Sequence, residues 1–96
     1  MREIEFAELR GDPAVEDDNA RLAGRCYHGP IRLGDTFSEA VKADERHEVA
    51  LRVDALLFYG KPVPELHPGE TAEVSLSGKG TELVTVGVVL RGHLDE

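Results

Sequence analysis

Apolar residues recur at every second position in several short runs of this chain, and that period predicts strands. HEVALRVDALLFYG, residues 47–60, is the clearest run, with Val49, Leu51 and Val53 alternating with Ala50, Arg52 and Asp54. TAEVSLS repeats the pattern with Ala72, Val74 and Leu76 inward. ARLAGRCYH, residues 20–28, points Ala20, Leu22 and Cys26 inward, and TFSEAVKA buries Phe37 and Val41. REIEFAEL, residues 2–9, puts Ile4, Phe6 and Leu9 near one face among Glu3, Glu5 and Glu8; it reads as a strand, with a helix left open. TELVTVGVVL supplies Leu83, Val84, Val86, Val88, Val89 and Leu90 to a closing strand over residues 82–91.

Turn residues separate these runs. GDPAVEDDN is a loop, Gly29-Pro30 and Gly34-Asp35 are turns around an inward pair Ile31 and Leu33, and DER at residues 44–46 is a hairpin end. KPVPELHPGE carries three prolines in eight residues, which excludes a central strand. No repeat or low-complexity tract interrupts the chain. About six short strands with frequent turns predict an antiparallel barrel or sandwich.

Composition narrows the class. The chain of 96 residues suits one domain. Its single cysteine, Cys26, excludes an internal disulfide and fits a cytoplasmic home. There is no apolar run of transmembrane length, and the acidic, alternating start does not read as a signal peptide. No membrane partner is therefore expected. The net charge is −8, and the first 20 residues hold seven acids against two arginines. Such a surface repels phosphate backbones and suits a basic protein partner.

Three segments, met in order, resemble one family. GRCYHGPIRLGD at residues 24–35 resembles the G-R-x-x-x-G-x-I-x-x-G-D/E signature that opens the second domain of elongation factor Tu and its relatives. LRVDALLFYGKPVPELHPGE resembles that domain's next strand and its loop ending in a Gly-(Asp/Glu) turn. AEVSLSG resembles the strand after it, and together the segments span roughly residues 20–78. The resemblance implies an all-β fold, a small closed antiparallel Greek-key β-barrel of about six strands. One domain would fill residues 1–96, with an N-terminal strand and acidic loop at 1–19 and the barrel core at 20–91. Gly24, Gly29 and Gly34 would stand where strands turn or approach closely. The family barrel sits beside a nucleotide-binding domain and often contacts tRNA or ribosomal RNA. This chain has no G-x-x-x-x-G-K-(S/T) loop, so the resemblance carries no GTP binding or hydrolysis here.

Candidate chemistry is sparse. His28, His47, His67 and His93 show no metal-ligand spacing, so no metal and no cofactor are expected. Ser75 and Ser77 alternate on an outer face with nothing to activate them, so no catalytic residue is assigned. Arg21, Arg25, Arg32 and Arg52, with Tyr27 and His28, are candidates for a stacking and phosphate-binding strip for nucleic acid. Leu56, Phe58, Tyr59, Pro62, Val63 and Pro64 are candidates for a protein contact, because one strand face cannot hide so many apolar groups. The leading expectation is a non-enzymatic module that binds a basic protein, as an adaptor or immunity-like protein. The alternatives are a translation-associated module contacting tRNA or ribosome, and a small-ligand barrel or small enzyme.

Overall fold

The computed structural model describes residues 2–8, 14–16, 18–85 and 87–94. Leu9 and Val86, both expected to face inward, lie outside them. The strands are β1 (Arg2–Glu8), β2 (Ala14–Glu16), β3 (Asn19–His28), β4 (Ile31–Arg32), β5 (Thr36–Lys42), β6 (Glu45–Phe58), β7 (Lys61–Pro62), β8 (Glu65–Leu66), β9 (Thr71–Lys79) and β10 (Val89–Leu94). The order β1-β10-β5-β6-β9-β3, with β3 pairing back to β1, closes an all-antiparallel barrel of six strands. β3 precedes the β5-β6-β9 meander but lies beside its last strand, which is a Greek-key connection. Closure removes the exposed sheet edges that a small domain must otherwise protect.

Period-two alternation survives intact where the strands are regular. β3 buries Ala20, Leu22 and Cys26 and turns Arg21, Ala23, Arg25 and Tyr27 outward. β9 buries Ala72, Val74 and Leu76, and β1 buries Ile4 and Phe6. Glycine closes the ring at the seam between β1 and β3. A Cβ at Gly24 would collide with the Ala7 carbonyl oxygen and the Phe6 ring, so no larger residue lets these strands meet.

Several expectations fail for local reasons. The register of β5 shifts between Phe37 and Glu39, so Ala40 replaces Val41 as the buried residue after Phe37. Leu33 does not pair inward with Ile31; it is 50% exposed, because the turn at Gly34 (φ 89°) follows at once. The predicted closing strand is two elements: a 3-10 turn over Thr81–Leu83, then β10, which begins at Val89 and runs to Leu94. The expected loop GDPAVEDDN contains β2, which forms a hairpin with the start of β3. The hairpin expected at residues 44–46 turns at Ala43 and Asp44 instead (φ 52° and 67°). The proline-rich connection, by contrast, holds no central strand, as expected; it adds only two short pairings, β7 with β6 and β8 with β4 in a separate ribbon.

β6 is the longest strand, at 14 residues. Fully extended it would run about 45 Å, yet the molecule is only 30 Å along its longest axis. A bulge between Val53 and Ala55 bends it around the barrel and resets its alternation, so that Leu51, Val53 and Leu56 all face the core.

Candidate functional surfaces

Pairing decides which of the candidate arginines can act together. In the β3-β9-β6 sheet, Arg21 stands opposite Ser75, and Arg52 stands opposite Ser77 on the other side of β9. Arg21, Arg25 and Arg52 therefore share one outer face, floored by the small residues Ala23, Ala55, Ser75 and Ser77. Tyr27 continues this face and is 45% exposed. Arg21 pairs with Glu73 at 3.5 Å, and Arg52 pairs with Asp54 at 3.0 Å. Arg25 stands opposite Thr71 and forms no ion pair among the described residues. The strip is thus half neutralised by its own acids, with Arg25 and Tyr27 its free members.

Two of the candidates belong elsewhere. Arg32 lies on the β4-β8 ribbon, where its Nε donates to Glu65 at 3.2 Å. Glu65 also meets His67 Nε2 at 3.0 Å, which ties the ribbon to the following turn. His28 stands opposite Glu5 and lines a polar hollow of about 170 Å³ with Glu39, Arg46, Arg91 and His93. Arg91 donates to Glu5 at 2.7 Å in that hollow, and this bond raises the guanidinium above its ordinary pKa. The hollow therefore carries its own neutralising partners.

The apolar contact candidates divide as well. Leu56 is 1% exposed and belongs to the core, so it cannot present a contact; the bulge in β6 turned it inward. Phe58 and Val63 are half-buried against the core. Tyr59 is 89% exposed and, with Gly60, forms a two-residue turn in which both residues have positive φ. Its ring meets Phe58 edge-on at 4.6 Å. Pro62 and Pro64 are exposed beside it, and the Pro64 carbonyl accepts from the Leu33 N–H at 3.4 Å.

Among the described residues no cluster of three or more His, Cys, Asp or Glu could hold a metal ion. Burial pushes the Cys26 thiol up to about 11, with Glu70 adding to the effect, so it is a poor nucleophile near neutrality. Sequence reasoning missed one residue of structural weight. Glu8 is buried at the end of β1, where its Oε2 accepts from the Gly87 N–H at 2.8 Å and its Oε1 has no donor among the described residues. Strand alternation already sets Glu8 on the inward side with Ile4 and Phe6, apart from Glu3 and Glu5, but the Gly87 N–H that pairs with it comes from far along the chain.

A closed six-strand barrel of this kind also occurs in a solved structure of translation elongation factor SelB from Methanococcus maripaludis, bound to the GTP analogue GPPNHP. The match has a TM-score of 0.74 at 14% identity and covers 96% of this chain. The chain has the fold of a translation-factor barrel. The apo form of the same SelB matches equally, with a TM-score of 0.74 at 14% identity. The chain spans only 20% of the length of SelB, so the likeness is to one part of that factor. No family model and no curated protein matches the sequence. The family resemblance read from GRCYHGPIRLGD and the segments after it therefore agrees with the fold. Among the described residues no helix is long and apolar enough to cross a membrane.

Proposed function

We propose that this chain is a non-enzymatic module of the translation apparatus that contacts tRNA or ribosomal RNA through the outer face of β3. The observation that carries the reading is the likeness of nearly the whole chain to a barrel of SelB, a translation elongation factor. The likeness is one of fold, and fold alone does not convey a partner. The local chemistry adds a reason. Arg25 lacks an acidic partner among the described residues, and Tyr27 stands two residues on with its ring half open, a pairing of cation and aromatic suited to phosphate and base. The small residues around them let a strand of nucleic acid approach the sheet closely.

The test is capture of the tagged chain from its own cell lysate, with and without ribonuclease, followed by filter binding of purified tRNA. Recovery of tRNA or ribosomes that vanishes with nuclease supports the reading. Arg25→Glu should then weaken binding and lower the salt slope by about one. Recovery of a basic protein, indifferent to nuclease and lost in high salt, would replace it with the second reading. That reading, a basic protein partner, is favoured by the net charge of −8 and by the exposed Tyr59.

A further inference from the structure

A second cleft lies away from the β3 face, beneath the hairpin that joins β5 to β6. Its volume is about 320 Å³, within the range of small-ligand pockets. Ala40 and Val88, both of the core, and half-buried Leu83 give it an apolar floor. Lys42 and Thr85 stand at its edge, and Lys42 Nζ donates to the Thr85 hydroxyl at 2.9 Å. No carboxylate pairs with Lys42 among the described residues, whereas Arg21, Arg32, Arg52 and Arg91 each hold one. After the bond between them, the ammonium keeps two N–H donors and the hydroxyl keeps its own proton to give. Three donors thus remain at one edge of an apolar cleft.

The wall that carries Thr85 is held in place before any ligand arrives. The Leu83 N–H donates to the Gly80 carbonyl at 2.9 Å, and the Val84 N–H donates to that of Thr81 at 3.0 Å. The Val88 N–H donates to the Thr85 carbonyl at 3.1 Å, and the buried Glu8 carboxylate accepts from the Gly87 N–H at 2.8 Å. Glu45, His47 and Glu82 complete the rim, with His47 Nε2 3.6 Å from Glu45 Oε2. The two glutamates oppose a dianion such as a phosphate monoester twice as strongly as a single carboxylate, and they offer acceptors to an ammonium.

We propose that this cleft binds an α-carboxylate carried beside an apolar side chain, the carboxylate on Lys42 and Thr85 and the side chain on Ala40, Leu83 and Val88. That chemistry has two sources, a free apolar amino acid and the C-terminal residue of a peptide. In the first, the ligand's ammonium would face Glu45 and Glu82; in the second, the peptide would leave over the rim.

The experiment is a titration of the ¹⁵N-labelled chain, followed by amide shifts, with leucine, N-acetyl-glycyl-leucine and leucinamide. Saturable shifts confined to residues 40–47 and 82–88 with either carboxylate, and none with leucinamide, are expected. Tighter binding of leucine identifies a free amino acid, and tighter binding of the peptide identifies a C-terminus. Lys42→Met keeps the aliphatic stem, and both it and Thr85→Val should weaken binding by about tenfold or more with the melting temperature unchanged. Shifts that do not saturate, that leucinamide reproduces, or that Lys42→Met leaves unaltered would overturn the proposal.

Discussion

The two ends of β6 are closed by turns of the same geometry and put to different uses. At its start, Ala43 and Asp44 occupy the two central positions between Lys42 and Glu45, with φ 52° and 67°. At its end, Tyr59 and Gly60 do the same between Phe58 and Lys61, with φ 52° and 77°. Paired positive φ values match the twist of a tight hairpin, and Asn or Gly serves them best. Each turn instead opens with a residue that is costly there, Ala in one and Tyr in the other. At the first end the strained turn roofs a cleft. At the second it lifts an aromatic ring into solvent while Phe58 braces it. Between them β6 buries Leu51, Val53 and Leu56 and turns Arg52 and Asp54 outward, so its outer face and both its ends carry exposed chemistry.

The largest effect should come from the buried face of that element. Leu56→Ala leaves a cavity in a packed ring and should cost about 2–5 kcal/mol by urea denaturation. A cost under about 1 kcal/mol would mean that the bulge does not turn Leu56 inward. Phe58→Ala comes next, at roughly 2 kcal/mol, because the ring is only half-buried against the core. A cost as large as that of Leu56→Ala would make the second end as much core as the middle.

Smaller effects separate the turns themselves. Ala43→Asn relieves a left-handed alanine and should raise stability by about 0.5–1 kcal/mol. A loss would show that Ala43 is held by its place in the cleft rather than tolerated there. Tyr59→Ala should change stability least, by less than about 1 kcal/mol, since it forfeits only the edge contact with Phe58. If it then weakened capture of a nuclease-resistant protein partner, the second end would be a contact anchor. Unchanged capture would leave it a solvated turn.

The strands that alternate cleanly were legible before the fold was known. Leu22 and Cys26 in β3, and Val74 and Leu76 in β9, face the core as their period requires, because the register shift of β3 against β1 falls after Cys26 and β9 has no extra residue. Val41 and Leu33 failed the same rule. A register shift between β5 and β6 changed the side that Val41 faces and leaves no mark in local composition, whereas the turn at Gly34-Asp35 was legible and only its effect on Leu33 was not. The arginine strip was half legible. Alternation put Arg21 and Arg25 on one face, but their neighbour Arg52 and the neutralising Glu73 come from other strands.

By itself the sequence determined an all-β chain, most of its strands, the inward residues of β3 and β9, and the order of turns that resembles a translation-factor barrel. These follow from period two and turn chemistry, which act over a few residues. Only the tertiary structure decided that Leu56 is core, that Arg32 stands apart from the other arginines, and that Glu8 meets the Gly87 N–H. It also brought Lys42 to Thr85, 43 positions away in the chain. Bulges reset which side of a sheet a residue faces, and closure chooses its neighbours; both are settled by how the whole ring packs.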